Sequence, residues 1–181
     1  MRLRAIPIIA LVSVLLLALG SSRAQDAQPS EYQLKAAFLF NFAKFVEWPP
    51  EVFSAPAAPI VIGIIGENPF GKDLEDIVRD KKINARALII KPIASLDDGK
   101  KCHLLFISTS EKSRMPEIFR ALGKASVLTV GETDQFTQNG GVINFVREGN
   151  KIRFEISDDA AKRAGLKISS KLLSLAVRSP R

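Results

Sequence analysis

Runs of β-branched residues predict strands that alternate with helices along the chain. Residues 60–65 have the sequence IVIGII without polar alternation, which is typical of a strand buried on both faces in a parallel sheet. Further strands are predicted at 87–92, 102–107 and 127–130, helices at 69–80 and 111–123, and a short helical or looped stretch before Gly99. This alternation predicts an α/β fold with a Rossmann-like wound, mostly parallel sheet flanked by helices and right-handed crossovers.

A helix is predicted to begin the folded part of the chain. Ser30 and Gln33 have the spacing of a capping box. An apolar stripe follows at Leu34, Phe38, Phe42 and Phe45. Leu39 and Phe40 lie outside the stripe, so we expect the helix to be covered on more than one side. The two prolines after Trp48 remove backbone donors and end the helix.

The C-terminal third changes to a pattern of period two. Residues 142–146 and 151–156 are separated by Arg-Glu-Gly-Asn, which predicts an antiparallel hairpin. Its second strand alternates apolar residues with Lys151, Arg153 and Glu155, which predicts one solvated face. Beyond the hairpin, Ser157 is predicted to cap a helix that ends at a glycine, and a serine pair begins the last helix.

The first residues have the pattern of a secretory signal peptide. Arg2 and Arg4 precede an apolar run at 6–19, and the small residues Ser22 and Ala24 suit cleavage before Gln25. An uncleaved N-terminal anchor is the alternative. The predicted organisation is a signal peptide at 1–24, a disordered leader at 25–30, one domain at 31–178 and a tail at 179–181, with the domain exported to the periplasm.

Charge and cysteine usage exclude several classes of protein. The precursor carries a formal charge of +7, and cleavage after Ala24 leaves 23 basic and 19 acidic residues, or +4. No basic run is interleaved with aromatic residues, so a nucleic-acid partner is not predicted.

Cys102 is the only cysteine; it is either a buried thiol or paired between chains, and an apolar flank favours burial. Cys102 and His103 are adjacent in a predicted strand and point to opposite faces, so they form no catalytic dyad.

Two further patterns resemble catalytic motifs without fulfilling them. Residues 66–73 nearly match a phosphate-binding loop, but Asp73 stands where a magnesium-binding hydroxyl is needed. We therefore interpret Asn68 as a helix N-cap with Pro69 in the first turn. Three acidic pairs stand beside charged or helix-starting residues, where carboxylates stabilise the helix dipole. No enzyme activity, metal or cofactor is predicted, although an undetected hydrolase stays open as an alternative.

Ligands of wound α/β sheets bind at the carboxyl ends of the strands, which predicts a functional rim. The rim consists of residues 66–70, 93–95, 108–111 and 131–134. Phe70 is a large apolar residue in a turn there, and it either anchors a partner or packs under its own helix. Ser108 has the spacing of a capping box with Glu111. The second interpretation is an anion-binding site at the helix N-terminus.

Five segments resemble the YfiR-like periplasmic proteins. They are residues 31–49 (EYQLKAAFLFNFAKFVEWP), 68–71 (NPFG), 140–145 (GGVINF), 153–156 (RFEI) and 164–173 (AGLKISSKLL). The resemblance implies a regulator that represses an inner-membrane diguanylate cyclase, controls cyclic di-GMP and biofilm formation, is withdrawn by an outer-membrane lipoprotein, and forms homodimers. By the same resemblance Cys102 matches one half of a family disulfide whose other half is missing here, so a thiol switch of that form is not expected.

The sequence therefore leaves two binding hypotheses. In the first, the protein contacts a membrane sensor, and the candidate contact residues are Phe70 together with Lys151, Arg153 and Glu155. In the second, it is a small-solute binding module that passes a signal to such a sensor, with a pocket near Asn68 and Ser108.

Overall fold

The computed structural model describes residues 29–177. The predicted signal peptide, most of the predicted leader and the predicted tail lie outside these residues. Within them the chain forms six α-helices and nine strands. The helices are α1 (Glu31–Phe45), α2 (Asp73–Val78), α3 (Leu96–Gly99), α4 (Met115–Leu122), α5 (Asp158–Arg163) and α6 (Ser170–Leu175), with 3₁₀ turns at Pro50–Val52 and Thr109–Arg114.

Seven strands form one mostly parallel sheet, as the alternating pattern predicts. The nine strands of the described chain, two of which (β1 and β9) lie outside this sheet, are β1 (Val46–Glu47), β2 (Ile60–Ile65), β3 (Lys82–Ile83), β4 (Arg86–Ile93), β5 (Leu104–Ile107), β6 (Leu128–Gly131), β7 (Ile143–Glu148), β8 (Lys151–Ile156) and β9 (Lys167–Ile168). The sheet order is β3-β4-β2-β5-β6-β7-β8, with parallel pairing from β4 to β7. The predicted α/β class and the C-terminal antiparallel hairpin β7–β8 are confirmed. The short pair β1–β9, which the sequence did not predict, joins the end of α1 to the segment before α6.

The central strands are covered by a hydrophobic core on each face. Ile62 and Phe106 belong to the core beneath α1 and α2, whereas Ile65 and Leu105 belong to the core beneath α4. Because strand side chains alternate, the continuous β-branched run of β2 supplies both cores at once. The predicted bounds of β2 match the structure for this reason.

Helix α1 begins as predicted but buries a different stripe. Ser30 and Gln33 form both hydrogen bonds of the capping box. Leu39 and Phe42 are fully buried, while Leu34, predicted for the apolar stripe, is 40% exposed. The buried stripe is therefore rotated about the helix axis relative to the predicted one, and it includes Lys35.

The helix predicted at 69–80 is shorter in the structure, because the residues predicted to form its first turn form a separate turn. The Asn68 side chain accepts a hydrogen bond from the Phe70 N–H at 3.0 Å, so residues 68–72 form turns and α2 begins only at Asp73. Lys72, not Asn68, is the N-cap, and its side chain forms no capping hydrogen bond. The N-cap prediction for Asn68 is wrong because the side-chain Oδ1 of Asn68 is used in an Asx-turn. Asparagine stabilises such a turn as well as it stabilises a helix N-terminus.

The solvated face of the hairpin is predicted correctly only in part. Lys151 is exposed and Arg153 is partly exposed, but Glu155 is 3% exposed. The segment after β6 folds over this face and carries the fully buried Phe136. Thr137, next in the chain, donates a hydrogen bond to Glu155 at 2.8 Å. The solvated position predicted for Glu155 is therefore wrong.

Candidate functional site

The loops at the ends of β2 and β5 close the predicted rim at its centre. The Glu67 N–H donates to Ser110 Oγ at 3.0 Å. A Cβ placed on Gly66 would lie 2.4 Å from that oxygen and 2.8 Å from Glu111 Cγ. Strand order reverses between these strands, where doubly wound folds bind ligands. Here side chains of the second loop fill that crevice.

The structure places the predicted rim residues in the packing of these loops. Phe70 is 2% exposed and contacts Phe106 and Tyr32 edge-on, so its side chain belongs to the core. Ser108 is buried and accepts a hydrogen bond from the Ser110 N–H. Asn68 is exposed, with its oxygen used in the turn. The predicted capping box of Ser108 is not formed, because the Glu111 carboxylate pairs with Arg114.

An open polar pocket lies one step along the sheet, beyond the end of β6. Its volume is about 410 Å³. It is bordered by Glu31, Lys35, Glu132, Thr133, Asp134, Asn144, Phe145, Val146, Arg147 and Ile152. The side-chain Oδ1 of Asn144 is buried without a hydrogen-bond partner in the described chain. Because the Asn144 amide nitrogen donates to the Glu155 carboxylate, and a carboxylate only accepts, this orientation of the amide is required.

Lys35 forms the wall of this pocket and is neutralised there. Its Nζ donates to Glu31 at 2.5 Å and to Glu132 at 2.6 Å. Glu132 also accepts hydrogen bonds from Tyr32 and Thr109. Burial acts to lower the pKa of Lys35, but its hydrogen bonds to Glu132 and Glu31 outweigh burial and raise that pKa. The hydrogen bond from Lys35 likewise lowers the pKa of Glu31. Lys35 and Glu31 therefore both stay ionised at neutral pH.

The sequence did not identify this pocket, although one local signal was present. Glu31 and Lys35 have the i, i+4 spacing of a helical ion pair, on a helix that is otherwise largely apolar. Glu132 lies 97 residues away from Lys35, a contact that only the fold brings about. The predicted rim range 131–134 does reach the pocket.

An apolar groove follows the outer edge of β8. Its volume is about 500 Å³, and it is bordered by Leu34, Phe38, Asn150, Lys151, Ile152, Arg153, Phe154, Ser174 and Leu175. Leu34 and Leu175 (55% exposed) are two of the three large apolar side chains exposed in the described chain. The third, Leu173, lies on α6 as Leu175 does. Exposed apolar side chains gathered in a groove are typical of a contact surface.

The edge of β8 is closed at one end of the groove and open at the other. The Val177 N–H donates to the Phe154 carbonyl at 2.9 Å, and Val177 bridges Glu155. No described strand pairs with Lys151, Ile152 or Arg153 on that side. Two of the predicted contact residues, Lys151 and Arg153, therefore border the groove, while Glu155 lies beside Val177.

Cys102 and His103 are both buried and lie in different environments, as predicted, although both precede β5 and do not belong to the strand predicted at 102–107. Cys102 packs in the core beneath α4, and burial raises the pKa of its thiol to about 11. His103 stacks on Phe53 at 4.5 Å between ring centroids. Its Nδ1 accepts from the Val61 N–H, while its buried Nε2 has no partner in the described chain. Burial lowers the pKa of His103, so the thiol and the imidazole are both neutral at pH 7.

A family model described as YfiR/HmsC-like matches residues 32–177, nearly the whole described chain. The chain belongs to the YfiR/HmsC-like family. This confirms the resemblance that the five sequence segments carry. The family consists of periplasmic regulators of cyclic di-GMP signalling and is regulatory rather than catalytic. Residues 29–177 contain no helix long and apolar enough for a bilayer. The same residues bring no three His, Cys, Asp or Glu side chains together as metal ligands.

Solved structures match the fold at low sequence identity. A conserved domain protein from Vibrio cholerae O1 biovar eltor is 11% identical with a TM-score of 0.54, covering 83% of this chain and 60% of that one. The ABC domain from Streptococcus pneumonia in complex with L-Trp is 12% identical with a TM-score of 0.48, covering 81% and 59%. The chain spans about three fifths of the length of each. The first of these likenesses supports the fold alone.

Proposed function

We propose that this YfiR/HmsC-like protein represses an inner-membrane diguanylate cyclase by binding the cyclase's periplasmic sensing domain along the edge of β8. The family supports the general role in cyclic di-GMP regulation. The observation that carries the proposed contact is the apolar groove beside an unpaired stretch of an edge strand.

The geometry of β8 favours an extended partner segment. The Phe154 carbonyl faces the outer edge, where Val177 binds it. Because alternate residues of a strand direct their backbone groups to the same edge, the N–H and C=O of Ile152 face outward too. An added strand would pair with Ile152 and continue the line that Val177 begins. Alternate side chains of that strand would contact Leu34 and Leu175 in the groove.

The charge of the groove favours an acidic partner. Lys151 and Arg153 lie on one face of β8, and none of the described residues that border the groove is acidic. A symmetric antiparallel pairing of two β8 edges about Ile152 would place Lys151 of one copy opposite Arg153 of the other. Like charges in that position are destabilising. The proposed occupant is therefore an extended segment of the sensor that carries apolar residues on one face and Asp or Glu on the other.

The direct test measures binding of the purified protein to the periplasmic domain of the cyclase. The double variant Lys151→Glu/Arg153→Glu is expected to bind at least about tenfold more weakly, mainly through slower association at low salt. The control Lys112→Glu/Lys124→Glu changes net charge equally at exposed positions elsewhere and is expected to bind like the wild type. Equal affinities for both double variants would exclude the β8 edge.

The cellular test separates the regulatory role from the contact surface. Deletion of the gene is expected to raise cellular cyclic di-GMP. Complementation with the wild-type gene is expected to return cyclic di-GMP to its original level, whereas complementation with the Lys151→Glu/Arg153→Glu gene is not. Unchanged cyclic di-GMP after deletion would overturn the proposed repression. Withdrawal by an outer-membrane lipoprotein and a homodimer remain part of the proposal. Competition binding tests the first and sedimentation equilibrium tests the second.

A further inference from the structure

We infer that the pocket beyond the end of β6 binds a short zwitterionic peptide of two or three residues. The inference concerns a different site from the β8 groove and does not depend on the proposed cyclase contact. It also moves the ligand-binding hypothesis away from Asn68 and Ser108, where side chains fill the crevice, to a pocket that is open.

The pocket borders a strand edge and not a strand face. Its wall includes four consecutive residues of β7, from Asn144 to Arg147. Successive side chains of a strand point to opposite faces of the sheet, so a cavity on one face would contact alternate residues. Contact with all four therefore places the cavity along the backbone edge of β7.

Beyond Asn144 this edge pairs with no described strand, because β6 ends early. The ladder between β6 and β7 comprises only Val130↔Ile143 and Gly131↔Asn144, while β7 continues to Glu148. On the other side, Phe145 pairs with Phe154 and Arg147 with Ile152. Since Phe154 binds Val177 outside the hairpin, these are the non-hydrogen-bonded pairs of the hairpin. The Phe145 carbonyl and the Arg147 N–H consequently face the line of β6.

These two backbone groups complement one residue of a peptide that continues the line of β6. In parallel pairing, a ligand N–H would donate to the Phe145 carbonyl, and the carbonyl of the same ligand residue would accept from the Arg147 N–H. A peptide so placed runs parallel to β7. Its amino end lies next to Gly131 and its carboxyl end lies next to Arg147.

The charges of the pocket agree with this direction. Near the end of β6, the carboxylate that can pair with a ligand ammonium is that of the exposed Asp134, because Glu132 is already neutralised by Lys35. At the other end stands the guanidinium of Arg147, which is 68% exposed and forms an ion pair with Glu31. Three residues of strand span about 10 Å, so a di- or tripeptide places its ammonium near one end and its carboxylate near the other. A volume of about 410 Å³ accommodates a ligand of this size.

The experiment titrates the ¹⁵N-labelled protein with trialanine and follows backbone amides by NMR. We expect saturable binding, a shift of the Arg147 amide, and slower hydrogen exchange at that amide. Arg147→Ala is expected to weaken binding about tenfold, because it removes a charge-assisted hydrogen bond. Asp134→Asn is expected to weaken it by a smaller factor. The control Arg120→Ala removes an exposed guanidinium on α4 and is expected to leave the affinity unchanged.

A second titration uses N-acetyl-trialanine amide, which keeps the backbone and lacks both terminal charges. If the site takes free peptides, the blocked peptide binds about tenfold more weakly or not at all. Equal binding of both peptides would overturn the assignment to a free peptide and indicate an internal segment of a protein. No shift at Arg147 with millimolar trialanine, or an affinity that Arg147→Ala leaves unchanged, would overturn the site itself.

Discussion

Replacing Gly63 with alanine adds a methyl group to β2 in the core beneath α4, next to side chains of β4 and β5. An ideal Cβ on Gly63 would lie 2.5 Å from Cys102 Sγ, 2.8 Å from Ile93 Cγ1 and 3.0 Å from Leu105 Cδ1. All three neighbours are buried. The methyl group therefore requires the core to move, since no flexible exposed chain end can give way.

Two opposing effects set the size of the change. Overpacking a core by one methyl group costs about 1–3 kcal/mol. Alanine restricts the unfolded chain more than glycine does, which stabilises the fold by about 0.5–1 kcal/mol. The contacts of 2.5 and 2.8 Å are far below van der Waals separation, so overpacking dominates. We expect the free energy of unfolding to fall by about 1–2 kcal/mol, and Tm to fall by about 2–8 °C.

A double-mutant cycle with Cys102→Ala tests the cause. Urea unfolding of the wild type, both single variants and the double variant gives four free energies. Because Cys102→Ala removes the atom nearest to the new methyl group, the double variant is expected to be about 1 kcal/mol more stable than additivity requires. Additive free energies, or a Gly63→Ala protein as stable as the wild type, would refute this account of the packing.

Three further changes have expected outcomes. Lys35→Met leaves the largely buried Glu132 carboxylate without its cation and is expected to lower the free energy of unfolding by about 2–4 kcal/mol, measured by urea unfolding at pH 7. Burial lowers the pKa of His103 below 6.5, so the unfolded chain binds more protons below pH 6.5. The free energy of unfolding is expected to fall as pH drops through that range, and His103→Asn is expected to flatten this part of the profile. Ala85 has φ +66 beside Asn84 in the two-residue turn from β3 to β4; Ala85→Gly is expected to raise stability by about 1 kcal/mol, and a lower Tm would contradict it.

Local chemistry allowed several elements to be predicted from the sequence. The bounds of β2 followed from an unbroken β-branched run, and the start of α1 followed from the reciprocal capping of Ser30 and Gln33. Ser157 and Ser169 likewise cap helices as predicted. For the three helix starts the decisive interaction joins residues three positions apart, so it is visible without the fold.

Asn68 shows the limit of such local reasoning. An asparagine before a proline suits both an N-cap and an Asx-turn, and both use the same side-chain oxygen. The structure uses it for the Phe70 N–H. Phe70 then enters the core next to Phe106, a contact that the sequence pattern does not distinguish from exposure in a turn.

The candidate sites depend on long-range contacts, so only part of each site could be predicted from the local pattern. The alternation of β8 correctly places Glu155 on the face opposite Phe154. It does not reveal that Thr137 covers that face. Lys151 and Arg153 were predicted as contact residues, whereas the groove beside them is completed by Leu34 and by α6. The pocket beyond β6 depends on where β6 ends, a boundary that periodicity does not define.

The pairing of β1 with β9 and the stacking of α1 against the hairpin have a consequence for how the chain reaches its native state. Phe42 packs on Phe145 and Phe154, more than one hundred positions downstream. Contacts so distant in sequence slow folding. Until β7 and β8 have been synthesised, α1 therefore exposes the apolar face that carries Phe42. Removal of β8 and the residues after it takes away Phe154 and is expected to leave that face without its full cover.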